Sequence, residues 1–332
     1  MKPRVGLLLG DPTGIGPELV AKFLAGYDVS EHADVVVIGD RRVFEMGQKI
    51  AGTSLSLRVV GRFEDVTFDA GVVHFLDFPG VSPDEFTIGQ LSAKAGKSVL
   101  EVCAFTLDLA RDGKIDAVLY APFNKEAQHL GGSHFDDETH FIVDHLQWKG
   151  YVSEINILDN LWASRVTSHV GLKQVSSLIT KKAVHDAIVQ IDAALRMADV
   201  KGPRIFVAAL NPHGGEGGLF GTEEIEAIAP AIKQACSEGI QASGPFPADT
   251  IFVRAKDGAC DAVVSMYHDQ GQIGMKLMGF ARGVSLVGMM PFPVVTTNHG
   301  TAFDIAGQGK ANPQSLYQAF RIAASKRRIE EK

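Results

Sequence analysis

The sequence has few cysteines and no long apolar run, and each absence excludes a class of protein. Cys103, Cys236 and Cys260 lie far apart and form no CxxC pair. An odd, sparse set of this kind is typical of a reduced, cytosolic protein with buried thiols, and excludes a disulfide scaffold. No apolar stretch approaches the length needed to span a bilayer. The amino-terminal run of five apolar residues that ends before Gly10 predicts a first strand, not a signal peptide.

An excess of positive charge is also lacking. The formal net charge is −7, from 32 basic and 39 acidic side chains, which argues against a general nucleic-acid or anionic-membrane surface. A local pocket can oppose the global sign, so an anionic substrate is compatible with this charge. The sequence therefore predicts a soluble, cytoplasmic protein with no nucleic-acid partner and no membrane partner.

What the chain does contain is a regular alternation of strand-like and helix-like segments. A length of 332 residues exceeds a typical single core, so two domains or lobes are expected. Helices are predicted at residues 181–198 and 223–237. The strand-like runs are VGLLLG, ADVVVIGD, GVVHFLDF, DAVLYAPF, EINILDN, RIFVAALNPH, DAVVSMYH and GVSLVGMM. Several are apolar on both faces, which favours a largely parallel sheet covered by helices.

The lobes are not separated by a recognisable linker. No low-complexity segment and no repeat of fixed period interrupts the chain. A two-lobe protein in which the chain crosses between lobes fits this pattern better than two consecutive domains. We expect residues 1–125 and 280–332 to form the first α/β lobe and residues 126–279 to form the second.

Two segments resemble nucleotide-binding loops but lack a required glycine. In GDPTGIGPELVAKFL, Leu19 stands where a dinucleotide fingerprint needs glycine, and Glu18 would repel a pyrophosphate. In AGKS, which ends at Ser98, the upstream glycine of a phosphate loop is replaced by Leu91, and no strand precedes it. Gly96 is therefore predicted to lie inside a helix, and neither a Rossmann site nor a kinase or ATPase is expected.

Three of the eleven histidines close strand-like runs, namely His169, His213 and His268. Ligands bind beyond the carboxyl ends of strands in α/β sheets, so three imidazoles there predict a divalent-metal site with positions left open for substrate. The alternative for each histidine alone is a hydrogen-bonded loop residue. Glycines after His213 permit close backbone approach, and Asp269 directly after His268 can orient its ring.

Lys276 follows His268 by eight residues, about two turns if the segment is helical. An ammonium group beside a metal suits a substrate carboxylate or phosphate, or a proton transfer. The alternative is an ordinary surface lysine, which we would prefer without the metal.

The segment TTNHGTAFDIAGQGKANPQSLYQAF is the most specific in the chain. It resembles the HGSAPDIAGKGIANP signature of the isopropylmalate and isocitrate dehydrogenases, which bind NAD or NADP without a Rossmann fingerprint. The resemblance implies that the loop wraps the adenosine part of the cofactor, and glycines permit the close contact. The matching residues are His299, Gly300, Thr301, Ala302, Asp304 and Asn312.

A closer resemblance covers nearly the whole chain in order. GDPTGIGPE, APFNKE, NPHGGEGGLFGTEEI, GPFPADTIF, MYHDQG and HGTAFDIAGQGKA together resemble the 4-hydroxythreonine-4-phosphate dehydrogenase family. That family includes pyridoxine-biosynthesis enzymes, paralogues that act on 4-phosphothreonate or 4-phosphoerythronate, and dihydrodiol dehydrogenases of terephthalate breakdown. The resemblance implies a two-lobe α/β/α fold of the isocitrate and isopropylmalate dehydrogenase type, with the active site in the cleft between lobes.

The same resemblance implies a homodimer whose active site is shared at the subunit interface. It implies a divalent metal (zinc, magnesium, cobalt or manganese) bound by His169, His213 and His268, with ligands from both subunits. Thr139 and Lys276 match substrate-binding positions.

The acids predicted to act near Lys276 are Asp249 in PADT and Asp269. With Lys276, they form the predicted catalytic set.

The chain departs from the biosynthetic enzymes at the substrate phosphate. DETHF replaces their GHTEF, so Glu138 and His140 are exchanged around Thr139, and their phosphate-side asparagine and arginine fall at Ser285 and Val294. Neither replacement can act as an arginine fork, and each lost charge-assisted hydrogen bond should weaken phosphate recognition by roughly 1.5–3 kcal/mol. Glu138, His140 and Ser285 are nevertheless included in the predicted substrate-binding set.

Two accounts of the substrate follow from these departures. A compensating cation, such as His140 or Arg282, can preserve recognition of a phosphorylated hydroxy acid. Alternatively the substrate lacks phosphate, as in the dihydrodiol branch.

The hypothesis is NAD(P)-dependent oxidation of a secondary alcohol β to a carboxylate, followed by loss of carbon dioxide, with the metal favouring the alkoxide and the nicotinamide taking the hydride. A zinc-dependent hydrolase and a non-enzymatic NAD-binding protein are the remaining classes.

Overall fold

Short apolar runs form strands wherever the sequence predicts them. The structure, a computed structural model, describes residues 2–69, 71–135, 137–150, 152–279 and 282–325. All eight expected runs contain strands, and their alternation with helices confirms the predicted α/β class. None of the helices in those ranges combines the length and the apolar content that a membrane crossing requires.

The first unit is built from Met1–Lys149 together with Met290–Lys332. Its described strands are β1 (Arg4–Leu8), β2 (Asp34–Gly39), β3 (Leu57–Val60), β4 (Val73–Asp77), β5 (Ala117–Tyr120) and β12 (Val294–Thr297). They lie in the order β3-β4-β2-β1-β5-β12, and every neighbouring pair is parallel. β1 and β5, which each have a strand on either side, are buried almost throughout, as expected for parallel strands covered on both faces.

Several helices of the first unit begin at side chains that cap their free N–H groups. The described helices of this unit are α1 (Gly16–Gly26), α2 (Arg41–Ala51), α3 (Ala93–Arg111), α4 (Lys125–Leu130), α5 (Glu138–His145) and α11 (Gln314–Ser325). The Asp40, Ser92 and Asn124 side chains accept from backbone N–H groups in the first turns of α2, α3 and α4.

The second unit, Gly150–Met289, has a mixed set of strands. They are β6 (Glu154–Leu158), β7 (Leu161–Arg165), β8 (Arg204–Ala208), β9 (Gln241–Phe246), β10 (Ala262–Ser265) and β11 (Val284–Val287). Their order is β11-β6-β7-β10-β8-β9. The β11–β6 and β6–β7 pairs are antiparallel, and the other pairs are parallel.

The helices of the second unit follow the predicted periodicity with one difference. They are α6 (Leu172–Leu178), α7 (Lys181–Met197), α8 (Ala229–Ser237), α9 (Ala248–Lys256) and α10 (His268–Gly279). α7 matches the helix expected at 181–198. The helix expected at 223–237 instead starts with a π-helical turn, Glu224–Ile228, before α8. Such turns break the regular helical ladder and are frequent at functional sites.

The boundaries between the units fall later in the chain than the sequence suggested. The expected break at 125/126 moves because α4 and α5 pack against α3 of the first unit. The expected break at 279/280 moves because β11 pairs with β6 of the second unit. Residue 280 itself lies outside the described residues.

Candidate active site

The three predicted metal ligands all follow neighbouring parallel strands of the second unit. β10 lies between β7 and β8 and is parallel to both, so the three carboxyl ends fall at one edge of the sheet. His169 follows β7, His213 follows β8, and His268 follows β10. The sheet topology therefore delivers all three histidines to the same edge.

Two of these imidazoles are adjacent. The ring centroids of His169 and His268 are 5.9 Å apart. Nδ1 of His268 donates to Oδ1 of Asp269 at 2.7 Å, because a carboxylate can only accept. In the neutral ring the lone pair then lies on Nε2, which is the arrangement that metal-binding histidines commonly adopt with a carboxylate behind them.

The pair is compatible with a divalent cation. Two imidazoles that bind one tetrahedral ion at about 2.1 Å place their centroids roughly 5 Å apart, close to the separation of His169 and His268. In the ranges that the structure describes, no three His, Cys, Asp or Glu side chains are grouped closely enough to hold a metal ion. One chain thus brings together two of the predicted ligands and does not bring His213 to them.

His213 lies in an unusual left-handed turn. Its backbone has φ 52° and ψ 26°, and Gly214, Gly215, Glu216 and Gly217 also have positive φ. Glycine tolerates this region, but a histidine or a glutamate there is strained and persists only when the surroundings hold it. Two strained residues, His213 and Glu216, in one loop next to a strand end favour a functional role for this loop.

A buried carboxylate holds the His213 loop in place. Glu224, which is 4 % exposed, opens the π-helical turn. Its Oε1 accepts from the backbone N–H groups of Leu210 and Asn211, each at 2.8 Å. Its Oε2 accepts from the Asn211 amide at 2.9 Å. Sequence reasoning missed this role, because nothing in TEEI indicates that one acid folds back on a loop more than ten residues earlier.

Gln270 is a second residue that the sequence did not identify. Its Oε1 accepts from the backbone N–H of Met266 at 2.7 Å, and its Nε2 donates to the carbonyl of Ala209 at 2.8 Å. It therefore links the start of α10 to the end of β8. The only signal was its position in HDQG, two residues after His268.

The predicted catalytic residues lie on helices beside this edge. Lys276 is exposed on α10, the helix that His268 begins, as the sequence suggested. Asp249 is exposed in the first turn of α9, which packs against α10. Asp269 contacts His268, as described above, and its side chain is otherwise largely exposed.

Ser285 lies in a buried polar cluster rather than on an open surface. It is 8 % exposed. Its hydroxyl donates to Oε1 of Glu154 at 2.6 Å and accepts from the Asn156 amide at 3.2 Å. Burial alone would raise the pKa of Glu154, but the Arg165 guanidinium and the bond from Ser285 lower that pKa below its usual value.

The predicted substrate residues of the first unit open α5. Glu138 and Thr139 form its first turn, and Asp137 caps it by accepting from the His140 N–H at 3.0 Å and from its Nδ1 at 2.7 Å. Burial would raise the pKa of Asp137, but these bonds lower it. Of the two cations considered for phosphate, His140 is therefore paired with Asp137, and Arg282 in the second unit donates to Asp159 at 3.0 Å.

The predicted cofactor loop is tied to the first unit at both ends. The Thr301 carbonyl accepts from the Ile15 N–H at 3.0 Å. At the far end, Glu18 accepts from the Ala311 N–H at 2.8 Å and Lys22 donates to the Ala311 carbonyl at 3.0 Å. The glutamate that argued against a Rossmann site is therefore a structural anchor of this loop.

Between these anchors, the loop presents groups that suit a nucleotide. Nδ1 of His299 donates to the Gly300 carbonyl at 3.1 Å, which leaves Nε2 as an acceptor. Burial lowers the pKa of His299 despite that bond, so the neutral ring prevails at pH 7. Gly300 and Asp304 are exposed, and Ala302 has a positive φ of 46°.

Asn312, the last predicted cofactor residue, accepts from the Gln314 N–H at 3.0 Å and so caps α11. The donors and acceptors of this loop fit an adenosine ribose or base.

Asp11 in GDPTGIGPE is a buried carboxyl that the sequence did not single out. It is 1 % exposed. Oδ1 accepts from the N–H and the hydroxyl of Thr13 at 2.8 and 2.7 Å, whereas Oδ2 is buried without a partner among the described residues. Burial raises the pKa of Asp11, and the Thr13 bonds offset only part of that effect.

We expect Asp11→Asn to stabilise the protein at neutral pH. Because the pKa of Asp11 is raised on folding, its stabilising contribution is present below the unfolded pKa and is lost as the pH rises through the folded pKa. Asparagine keeps the shape of Asp11 but carries no charge, so the free energy of unfolding should rise by about 1 kcal/mol or more near pH 8, because a buried carboxylate costs more to desolvate than a neutral amide. Urea unfolding at a series of pH values from about 4 upwards should show a gain that appears above the unfolded pKa of Asp11 and grows with pH.

Asp28 provides a matched control for this substitution. Its Oδ1 accepts from the N–H and the hydroxyl of Ser30 in the same pattern, at 3.0 and 2.6 Å, but on the surface. The Ser30 bonds lower the pKa of Asp28. Asp28→Asn should therefore give no gain near pH 8, and a loss of stability in Asp11→Asn at that pH would contradict the interpretation.

The α/β fold is shared with a beta-decarboxylating dehydrogenase from Thermococcus kodakarensis, which is 17% identical, with a TM-score of 0.52 over 96% of this chain and 81% of that one. The profile of the family described as "Pyridoxal phosphate biosynthetic protein PdxA" matches residues 31–323. The chain therefore belongs to this family, and the resemblance found in the sequence is confirmed.

Individual proteins agree with that assignment. A Pseudomonas aeruginosa protein named "Putative 4-hydroxythreonine-4-phosphate dehydrogenase 2" is 46% identical over 323 residues, which cover 97% of this chain and 96% of that protein. The crystal structure of a 4-hydroxythreonine-4-phosphate dehydrogenase from Burkholderia phymatum is 36% identical, with a TM-score of 0.84 over 99% of this chain and 100% of that one. A terephthalate 1,2-cis-dihydrodiol dehydrogenase from Burkholderia xenovorans is 28% identical, with a TM-score of 0.68 over 97% and 98%.

Proposed function

We propose that the protein is an NAD(P)- and divalent-metal-dependent dehydrogenase that oxidises, and then decarboxylates, a β-hydroxy acid of the 4-hydroxythreonine-4-phosphate or 4-phosphothreonate type. The observation that carries the proposal is the His169–His268 pair, with Asp269 behind His268, in a chain of this family. A hydrolase has no use for the loop at residues 299–312, so the hydrolase alternative loses its support.

The chain's own residues would hold the metal as follows. His169 and His268 contribute two imidazoles from one chain, and Asp269 fixes the ring of His268 so that Nε2 is presented. His213 of a second copy would complete the set, since the third ligand does not join the pair within one chain. A divalent cation held there would supply Lewis-acid chemistry, which favours ionisation of a hydroxyl and stabilises developing negative charge.

A shared site requires a homodimer, which is part of the proposal. The second unit exposes apolar side chains that a partner would cover. On α9 and α10 these are Val253, Ile273 and Leu277, exposed by 62%, 61% and 84%. Ile273 and Leu277 are one turn apart on the helix that carries His268 and Lys276, so a partner there would lie close to the proposed site.

Roles for the remaining residues follow from their chemistry. A bound nicotinamide cofactor would supply the hydride acceptor, and the neutral His299 and the exposed Asp304 would bind its ribose or base. Lys276 anchors an anionic group of the substrate or moves a proton. Thr139 offers its hydroxyl to the substrate. Asp249 is the acid that we assign to proton transfer near Lys276.

The second candidate is oxidation of a non-phosphorylated cis-dihydrodiol dicarboxylate. It is favoured by the state of the residues expected at a phosphate: Ser285 is bonded to Glu154, His140 to Asp137, and Arg282 to Asp159. A phosphate dianion would have to displace one of these carboxylates or bind elsewhere. A substrate without a phosphate group makes no demand on these three side chains.

Reduction of NAD or NADP by a panel of substrates tests the proposal. Purified protein would be assayed with phosphorylated four-carbon β-hydroxy acids and with carboxylated cis-dihydrodiols, each with Mg²⁺, Mn²⁺, Co²⁺ or Zn²⁺ and with a chelator. We expect metal-dependent formation of reduced cofactor with one class of substrate. Turnover that persists unchanged after complete metal removal would refute the metal role, and cofactor binding without turnover of any hydroxy acid would favour a binding protein.

A further inference from the structure

Arg165, the last residue of β7, is a buried cation whose three donor groups reach three different residues. Its side chain is 4% exposed. One terminal nitrogen donates to Oε2 of Glu154 at 2.6 Å and the other to Oδ1 of Asn156 at 2.9 Å. Nε donates to the hydroxyl of Ser168 at 2.9 Å. The guanidinium therefore links β6 and β7 to the turn that follows β7.

The cluster extends from β6 to a neighbouring strand and a helix. Glu154 and Asn156 both bond Ser285 of β11. Asn156 also accepts a hydrogen bond from Nε2 of Gln272, a buried residue of α10. We call the five residues Glu154, Asn156, Arg165, Gln272 and Ser285 the Arg165 cluster.

Both ends of the Arg165 cluster lie next to a histidine of the candidate site. Ser168, which Arg165 contacts, directly precedes His169. Gln272 is four residues after His268 in α10, so the two side chains lie on the same face of the helix. The cluster thus spans from the turn that carries His169 to the helix that carries His268, and the two rings are 5.9 Å apart.

We propose that the Arg165 cluster is a positioning device that fixes His169 and His268 relative to each other. The inference rests on the proposed function only where it assigns metal binding to His169 and His268. The contacts of the Arg165 cluster do not depend on that function. Arg165 and Glu154 are positioning residues, since they act through Ser168 and Gln272 rather than on the reacting atoms.

A stabilising role alone does not explain the choice of residues. A buried ion pair is costly to desolvate, and well-packed apolar residues of similar volume usually replace it without loss of stability. An apolar replacement would not, however, provide directed hydrogen bonds to both Ser168 and Asn156. A planar guanidinium provides them in fixed directions.

The decisive variant removes both charges together. In Glu154→Leu/Arg165→Met neither buried charge is left unpaired, so we expect the urea midpoint to stay close to that of the wild type. Affinity for Co²⁺, followed through its visible absorption bands and by calorimetry, should fall by about 10- to 100-fold, the range typical of lost outer-sphere partners. The crystal structure of the metal-free variant should show the two rings displaced from their wild-type separation.

Two further variants separate positioning from stability. Arg165→Lys keeps the charge beside Glu154, but its single nitrogen cannot reproduce the planar fork that reaches Glu154, Asn156 and Ser168 in fixed directions. Co²⁺ affinity should therefore fall although the ion pair remains. Arg204 serves as the control, because it pairs with Asp261 at 2.9 Å elsewhere in the second unit and contacts neither histidine segment. Arg204→Met should leave Co²⁺ affinity and ring separation unchanged.

Each outcome decides the proposal. A stable double variant with wild-type ring separation overturns it, whatever its activity. If the wild type binds no Co²⁺, the proposed metal site fails, yet displaced rings in the double variant would still support the positioning role. If the double variant does not fold, Arg165→Lys decides in its place, and an unchanged ring separation there counts against the proposal.

Discussion

Replacing His268 with alanine should abolish metal-dependent oxidation while leaving the second unit folded. The substitution removes one of two adjacent imidazoles and also leaves Asp269 without the ring that it orients. Loss of an outer-sphere partner typically costs 10- to 100-fold, so loss of a ligand should lower kcat/KM by more than about 100-fold. Steady-state kinetics and Co²⁺ titration of the same preparation would measure the effect.

The expected cost in stability is small, because the side chain of His268 is 36% exposed. Substitutions at such sites usually change the free energy of unfolding by no more than about 0.5 kcal/mol when no buried network is broken. Asp269→Asn should give a milder defect, since the ring is kept and only its partner is weakened.

His185 supplies the matched control for His268. It lies on α7 of the same unit, and its Nε2 bonds a carboxylate, Glu238, at 2.8 Å. It therefore reproduces a histidine–carboxylate pair away from the strand edge. His185→Ala should keep wild-type kcat/KM, whereas full metal-dependent activity in His268→Ala would remove the basis of the proposed function.

The sequence was informative about the strand edge because the relevant signals are local. An apolar run that ends in a histidine predicts a buried strand and places the histidine at the carboxyl end of that strand. His268 accordingly follows β10 and begins α10, and Asp269 contacts it directly. The order of the strands was not local information, yet it is what brings the ends of β7, β10 and β8 to one edge.

Three of the residues that the sequence did not identify act over long separations in the chain. Gln270 bonds Ala209, Glu224 bonds Leu210, and Gln272 bonds Asn156. No spacing rule connects such pairs. Arg165 was the one detectable case, because a single charge stands at the end of the apolar run LWASR, where a buried strand gives it no access to water.

The limits of the units also depend on contacts that are not local in the chain. The chain passes from one unit to the other without a change in composition, so only packing defines the limits. α4 and α5 could have belonged to either unit until their contacts with α3 were known.

The glycines that follow His213 predicted a close approach of the backbone to a ligand. They did not predict that five consecutive residues, from His213 to Gly217, would have positive φ angles.

Gly96→Ala should destabilise the first unit strongly, although alanine is the better helix former. The glycine belongs to the segment AGKS, and it lies in α3 as predicted. A Cβ atom on Gly96 would overlap the carbonyl of Ala127 in α4. From the other side, a Cβ atom on Gly131, at the end of α4, would overlap the backbone N of Lys97 in α3. The two glycines therefore permit backbone contact between α3 and α4, which explains the motif without a phosphate.

The size of the effect follows from two opposing contributions. In an open helix, glycine to alanine gains up to about 1 kcal/mol. Overpacking against rigid backbone costs roughly 1–3 kcal/mol and occasionally more, and here the clash is with main-chain atoms that cannot rotate away. We expect the free energy of unfolding from urea titration to fall by about 2 kcal/mol or more.

Gly26→Ala is the control that isolates the clash. Gly26 is also helical, at the end of α1, and a Cβ there would meet no atom within 4 Å. The same chemical change should therefore be neutral or stabilising by up to about 1 kcal/mol. Because the two variants differ only in what the added methyl group meets, equal stability of Gly96→Ala and Gly26→Ala would show that α3 and α4 do not approach as closely as the structure places them.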